Sequence, residues 1–303
     1  MIVSIVEEWP WARHPHQTPS WYRAFASLAI CVRATDRRGG VIVPLAVDGE
    51  RAASLGYGGP IAWGDAYSQM VGFQRVMSKL LELGIKRCDL RWCPTESHPV
   101  IEGSPVDLGP TIVIPLARDT KTMWDALHPS VRRDVTRAQR AGYRSGAWLI
   151  NDLMPDDIKE AFNASYAQQF GINTDAVDQA RKLAADGRLD VWIEVVTVEG
   201  EFAAGQIVVQ HAGTLEVMTA TCAPEHRHMS PLKVADWSVI ARAGVGGASV
   251  VHVGGAASTG DVEDGLIAYK RRLGGEERRD VLYRIDVEHF VARLDVKECD
   301  GCT

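Results

Sequence analysis

A short strand near the end of the chain and the segment after it carry the residue types best suited to catalysis. Residues 250–255 (Val-Val-His-Val-Gly-Gly) have the pattern of a buried strand that ends where the backbone approaches another group closely. Tyr269 and Lys270 then stand side by side in a short helical turn that begins at Asp264. A cation at the mouth of a crevice at strand ends stabilises negative charge that develops during a reaction. Tyr269 and Lys270 are therefore candidate catalytic residues, and the alternative is an ordinary surface lysine in the run Lys270-Arg271-Arg272.

Two groups of arginines are candidates for contacting the phosphates of RNA. They are Arg133, Arg137, Arg140 and Arg144, which share one face of a predicted helix, and Arg271 and Arg272, which follow the candidate catalytic lysine. Guanidinium groups suit phosphate better than an ammonium group does. Because the chain has a net charge of −6, any contact with RNA must be local. The alternative for both groups is a solvated charged surface.

The segment Gly56-Tyr57-Gly58-Gly59-Pro60 is a candidate site for binding an acceptor molecule. Consecutive glycines let a ligand lie against bare backbone amides, and Tyr57 would form a wall of such a pocket beside Gly58 and Gly59. A tight turn before the next strand explains the same glycines without a ligand. Both interpretations stay open at the level of the sequence.

The histidines and cysteines predict no metal site, since no spacing matches a zinc finger or a zinc hydrolase. His252 lies inside a predicted strand and is expected to be a core histidine with satisfied nitrogens. Cys299 and Cys302 form a C-x-x-C pair near the end of the sequence, but no second pair would complete a site. A proton acceptor is expected among four carboxylates that the sequence does not rank: Asp236, Asp261, Glu263 and Asp264.

Two segments of the chain, offset by about 160 residues, repeat one order of elements. The first copy has predicted strands at 40–47 and 52–57, a helix through 71–83 and a strand at 87–92. The second has strands at 202–209 and 215–220, a helix through 232–240 and a strand at 249–253. Tandem β-β-α-β units indicate a duplicated α/β domain.

A basic helix over 129–142 is predicted between the copies, with Ser130 as its N-cap and Gly142 as its stop signal. A chain of 303 residues is long enough for two cores of ordinary size. We therefore expect two domains, residues 1–145 and residues 146–303.

Three motifs resemble those of the Fem-like (FemABX-type) aminoacyltransferases, over most of residues 40–285. They are the stretch Trp124–Tyr143 with its paired arginines, the Gly-Pro at 59–60, and "DGL..YKR.LGG" at 264–275. The resemblance implies an α/β fold of two tandem GNAT-like (acetyltransferase-like) domains with mixed sheets. The sequence has no long charged heptad insertion, so the coiled-coil arm of larger family members is expected to be absent.

The resemblance also implies an activity, which is transfer of an amino acid from aminoacyl-tRNA to a free amine. The acceptor would be small and peptide-like, either a natural-product intermediate or a peptidoglycan precursor. Lys270 would stabilise the oxyanion, Tyr269 would lie at the aminoacyl end, and the arginines would hold tRNA. No cofactor is expected besides aminoacyl-tRNA as a co-substrate.

Two other functions remain open, an acyl-CoA-dependent N-acyltransferase and a non-catalytic module that binds tRNA or a nucleotide. A CoA pyrophosphate needs bare amides at a helix N-terminus, yet Met229, Ser230 and Pro231 stand where glycines would serve. No apolar run approaches the roughly 20 residues that span a bilayer, and the first residues lack the features of a signal peptide. We expect a cytoplasmic protein that binds neither membrane nor DNA.

Overall fold

The computed structural model describes residues 1–7, 9, 11–94, 105–150, 154–172, 175–255 and 261–300. The chain forms two compact units. Unit 1 comprises Met1–Gly109 with Arg279–Thr303, and unit 2 comprises Pro110–Arg278. The expected boundary at residues 145 and 146 therefore falls inside unit 2. The physical reason is packing, because Ile114, Leu127 and Val135 belong to a core cluster of unit 2.

Strands and helices alternate along the chain in the manner of an α/β protein. The first elements are β1 (Ile2–Ile5), a 3₁₀ helix (Pro15–Gln17), α1 (Pro19–Phe25), β2 (Ala29–Thr35), β3 (Gly39–Asp48), β4 (Arg51–Ala53), β5 (Ile61–Gly64), α2 (Ala66–Glu82) and β6 (Arg87–Arg91). The middle elements are β7 (Pro105–Pro115), α3 (Thr120–Ala126), α4 (Pro129–Arg140), β8 (Arg144–Leu149), α5 (Asp156–Phe170) and α6 (Ala176–Ala184). The last elements are β9 (Asp190–Val198), β10 (Glu201–His211), β11 (Thr214–Cys222), a 3₁₀ helix (Pro224–Met229), α7 (Pro231–Val245), β12 (Val250–Gly255), α8 (Asp261–Arg272), β13 (Glu276–Asp286) and α9 (Val287–Asp300).

Unit 1 is built on strands in the order β1-β2-β3-β4-β6-β13, with β5 paired to β3. Only the β4–β6 pair among these is parallel. Helices α2 and α9 cover one face. Phe73, Met77 and Leu80 of α2 join Val32 and Val43 of the sheet in one buried cluster. The predicted apolar stripe of this helix therefore faces the core.

Unit 2 has the strand order β7-β12-β11-β10-β9-β8, again with one parallel pair, β11–β12. Helix α7 lies on this sheet. Its residues Val239 and Ile240 pack in one buried cluster with Val208 and Leu215. The mixed sheets that the sequence predicts are thus present in both units.

The predicted repeat of β-β-α-β order is confirmed. It comprises β3, β4, α2 and β6 in the first copy and β10, β11, α7 and β12 in the second. The first copy also has a strand that was not predicted, β5, between β4 and α2. In each copy the helix connects two parallel neighbours, because a parallel pair needs a crossover connection. The return strand of the first copy is shorter than predicted and ends at Ala53, since the chain turns at Gly56, where φ is +56°.

The predicted basic helix is confirmed as α4, although its N-cap is His128 and not Ser130. The ring of His128 accepts from the Ser130 backbone amide, and Pro129 occupies the first turn, where no amide is needed. Gly142, with φ +93°, follows the helix end as predicted. Among the residues that the structure describes, the helices form no coiled-coil arm, and none is long and apolar enough to cross a membrane.

Candidate active site

Lys270 lies in the last turn of α8, a helix longer than the short turn that the sequence predicts. Its Nζ donates a hydrogen bond of 2.9 Å to the carbonyl oxygen of Gly254 at the end of β12. Gly254 has φ +69°, which favours glycine. The β12–β7 register shifts between His252 and Gly255. The irregular end of β12 therefore contains the carbonyl group that accepts the hydrogen bond from Lys270.

The glycine after α8 is required by close packing. A Cβ atom at Gly275 would lie 2.3 Å from Cγ2 of Ile112 and 2.8 Å from the carbonyl oxygen of Lys270. Gly274 adopts φ +88° and ends the helix. Because Gly274 and Gly275 have no side chains, the chain can turn after α8 and pack closely against Ile112 and the backbone of Lys270.

Tyr269 pairs with a carboxylate that the sequence does not rank. Its hydroxyl donates a hydrogen bond to Oδ2 of Asp236 on α7. Of the four candidate carboxylates, only Asp236 has a described side chain, because those of Asp261, Glu263 and Asp264 lie outside the described residues. Asp236 is thereby placed beside both predicted catalytic residues.

Burial sets the ionisation of all three groups. It raises the pKa of Asp236 to about 6, although the hydrogen bond from Tyr269 and the nearby side chain of Gln206 lower it. It lowers the pKa of Lys270 to about 8, although the carboxylates of Glu216 and Asp236 raise it. Burial and the neighbouring Asp236 hold the pKa of Tyr269 well above its usual value. Near neutral pH the site thus combines a carboxylate, an ammonium group and a neutral phenol.

A second layer of buried polar side chains lies around these groups. His252 bonds through Nδ1 to Glu216 and through Nε2 to Thr111, at 3.0 Å. The prediction that His252 is a satisfied core residue is confirmed. Gln206 is fully buried on β10 and is close enough to lower the pKa of Asp236. The sequence gives no signal for Gln206 or Glu216, since each sits in a strand among residues of ordinary core composition.

A lysine connects the basic helix to Tyr269. Nζ of Lys233 lies 2.6 Å from Oδ2 of Asp134 on α4 and 5.9 Å from the centre of the Tyr269 ring. Asp134 also has Arg133 at 3.8 Å and Arg137 at 3.7 Å. Two of the predicted tRNA-binding arginines are therefore linked to Tyr269 through Asp134 and Lys233. Lys233 was not predicted as a site residue.

The other predicted tRNA-binding residues lie at the end of α8 and near the end of α4. Arg272 accepts, through its carbonyl oxygen, a hydrogen bond of 2.9 Å from the amide of His128 at the start of α4, so the end of α8 adjoins that helix. Arg271 pairs with Glu277. Arg140 is exposed near the end of α4, and Arg144, at the start of β8, donates to the carbonyl oxygen of Tyr143 at 3.0 Å.

The predicted acceptor residues lie in unit 1 and have structural roles there. Tyr57 is 4% exposed, its hydroxyl contacts Asp280 and Arg91, and the guanidinium of Arg91 lies 4.2 Å from its ring centre. A Cβ atom at Gly58 would lie 2.2 Å from the carbonyl oxygen of His16, and one at Gly59 would lie 2.2 Å from that of Arg91. The tight-packing interpretation accounts for both glycines. Acceptor binding by the three residues stays a prediction.

A cavity of unit 1 lies elsewhere on that unit. It has a volume of about 990 Å³ and is lined by the end of α1 and by β3, β4, β6 and β13. None of Tyr57, Gly58 and Gly59 lines it. The Cys299 and Cys302 pair cannot be placed, since its side chains lie outside the described residues.

Known proteins share this architecture at low sequence identity. Residues 129–271 match a family described as the acetyltransferase (GNAT) domain. The chain is similar to the crystal structure of FemX at 10% identity and TM-score 0.64, over 90% of this chain and 93% of that one. It is also similar to L-PGS from Bacillus licheniformis at 14% identity and TM-score 0.56, over 84% of this chain and 83% of that one.

A third solved structure is itself a tandem protein. The tandem GNAT protein from the clavulanic acid biosynthesis pathway shares 13% identity with TM-score 0.52, over 86% of this chain and 82% of that one. No curated protein matches the sequence. The GNAT-domain match supports an acyltransferase. The three structures show the fold, which is the tandem GNAT-like α/β fold that the sequence predicts.

Proposed function

We propose that the protein is an aminoacyltransferase that moves an amino acid from aminoacyl-tRNA to the free amine of a small peptide-like acceptor. The observation that carries the proposal is the arrangement of Lys270, Tyr269 and Asp236 at the end of β12. Lys270 supplies positive charge and Asp236 a carboxylate poised near neutral pH. A general base and a positive charge near the carbonyl oxygen both accelerate the attack of an amine on an ester.

The proposed step forms one bond and breaks another. The acceptor nitrogen attacks the ester carbonyl carbon, a C–N bond forms, and the bond from that carbon to the ribose oxygen breaks. Asp236 takes the proton that the nitrogen loses and passes it to the ribose oxygen as that oxygen leaves. The ammonium group of Lys270 stabilises the oxyanion between the two events. The ester is already activated, so positioning supplies much of the remaining rate.

Tyr269 has a positioning role in this proposal. Its high pKa keeps the phenol neutral, so that it donates to Asp236 and fixes the orientation of the carboxylate. Its ring also faces Lys233, which pairs with the basic helix. The tRNA would approach along Arg133, Arg137 and Arg140.

The helix N-termini of both units favour tRNA over acyl-CoA as the donor. In unit 2 a 3₁₀ helix precedes α7, and Pro231 removes an amide at its first position. In unit 1 the Asp65 carboxylate accepts from the amide of Ser68 at the start of α2, so negative charge already occupies that end. No cofactor is proposed besides aminoacyl-tRNA.

The test is transfer of a labelled amino acid. The protein is incubated with a set of labelled aminoacyl-tRNAs and candidate amines, with and without ribonuclease, and a parallel reaction contains acyl-CoA. We expect an amide product that disappears after ribonuclease treatment and does not form from acyl-CoA. Product from acyl-CoA alone would support the N-acyltransferase alternative. RNA binding without transfer to any acceptor would support a non-catalytic module.

A further inference from the structure

The basic face of α4 is one wall of a cavity whose other wall is an aromatic ring. The cavity has a volume of about 560 Å³ and is lined by Trp124 of α3 and by five residues of α4: Arg132, Arg133, Thr136, Arg137 and Arg140. A tryptophan beside clustered guanidinium groups places a stacking surface next to groups that bind phosphate.

Trp124 is held in place by its neighbours. It is partly buried, and its ring meets that of Trp237 edge-on with 4.8 Å between the centres. It also packs against the buried cluster that contains Met123 and Leu127. The ring is thus a fixed platform, and a fixed aromatic surface costs little entropy when a ligand stacks on it.

The arginines of the cavity keep much of their charge available. The side chains of Arg133 and Arg137 are 76% and 52% exposed, and their contact with Asp134 is shared with Lys233. Arg132 lies 3.6 Å from Asp125. Arg140 has no ion pair within the part of the chain that the structure describes. The wall therefore attracts phosphate.

We propose that this cavity binds an unpaired nucleotide of RNA, with the base stacked on Trp124 and the flanking phosphates on the α4 arginines. The inference rests on the proposed function and specifies which feature of the RNA is recognised. Stacking on a side chain requires a base that is free of its own stack, which duplex RNA does not offer. The chemistry of the cavity thus points to a single-stranded segment of the tRNA.

The test measures binding of uncharged RNA and needs no catalysis. A fluorescent single-stranded RNA and a blunt duplex that contains the same strand are titrated against the wild type, Trp124→Leu and Trp124→Phe. Stacking contributes about 1–3 kcal/mol per base. Trp124→Leu should therefore weaken single-strand binding by about 5- to 150-fold, and Trp124→Phe should retain most of it. Duplex binding should change little.

Two further variants serve as controls. Trp148→Leu removes another partly buried tryptophan, on β8 and outside the cavity, and should leave the affinity unchanged. Arg137→Ala with Arg140→Ala should weaken the binding of both RNAs and flatten its salt dependence, since fewer counterions are released. If Trp124→Leu does not fold, Thr136→Glu places an acid in the same cavity and should weaken single-strand binding.

Several results would overturn the inference. They are unchanged single-strand affinity in folded Trp124→Leu, an equal loss for single strand and duplex, and competition by ADP or CoA as strong as that by RNA. Failure here is separate from failure of the proposed function. If RNA binds through Trp124 but no aminoacyl transfer occurs, the inference holds and the proposed function fails. If transfer occurs but substitution of Trp124 does not change RNA binding, the proposed function holds and the inference fails.

Discussion

At the scale of single residues, burial shifts the pKa values of the three groups of the site. It raises those of Asp236 and Tyr269 and lowers that of Lys270. Lys270 and Asp236 titrate near neutral pH, at about 8 and about 6, instead of far from it. The sign of each shift follows from desolvation, which disfavours the charged form of either group. Perturbed acids and bases that lie close together are typical of sites that transfer protons.

The first prediction concerns the dependence of activity on pH. Aminoacyl transfer should rise as Asp236 ionises through about pH 6 and fall as Lys270 loses its proton above about pH 8. We expect a bell-shaped profile of kcat/KM, measured with one acceptor throughout. Asp236→Asn should remove the acidic limb and most of the rate. Glu82→Gln, which alters an exposed carboxylate on α2, should leave the profile unchanged. An acidic limb that persists in Asp236→Asn would assign it to another group.

At the scale of elements, the sequence predicts the helices, strands and turns that local residue patterns determine. The two hairpin-helix-strand copies follow from turn residues and from apolar spacing, and the basic helix follows from its stop signal and its apolar stripe. The Asp236–Tyr269 pair joins α7 to α8 across 33 residues, so it depends on how those helices pack. Burial of Tyr57 by Asp280 depends on the return of β13 to unit 1. Neither contact has a local signature.

The second prediction concerns the turn that closes α8. Gly275→Ala should destabilise the protein by about 1–3 kcal/mol, because the new methyl group would overlap Ile112 and the carbonyl of Lys270. The matched control is Gly265→Ala within α8, where an added Cβ meets nothing within 4 Å. That change should be neutral or should stabilise by up to about 1 kcal/mol. Urea unfolding of both variants provides the measurement. Equal stability of the two would mean that the turn adjusts freely.

At the scale of the whole molecule, the candidate catalytic groups are concentrated in one of the two units. Unit 2 holds Lys270, Tyr269 and Asp236 together with the basic helix, and the GNAT-domain match lies within it. In unit 1, Arg91 and Asp280 contact Tyr57, which the sequence predicts to bind the acceptor. The boundary between units was not predictable from the repeat, because unit 1 is discontinuous in sequence. With a net charge of −6, binding of RNA would depend on the local arginine surface of unit 2.

The central claim is that the ammonium of Lys270 stabilises the oxyanion when an amine attacks aminoacyl-tRNA. The most direct measurement is the single-turnover rate of amide formation at saturating acceptor, for the wild type, Lys270→Ala and Lys270→Arg. We predict a fall of about 100- to 1,000-fold for Lys270→Ala, with tRNA affinity unchanged, because the contact strengthens only in the transition state. Lys270→Arg should rescue poorly, since a planar fork cannot replace a compact charge at this position. A near-normal rate in folded Lys270→Ala would contradict the claim and leave the lysine with a structural role at Gly254.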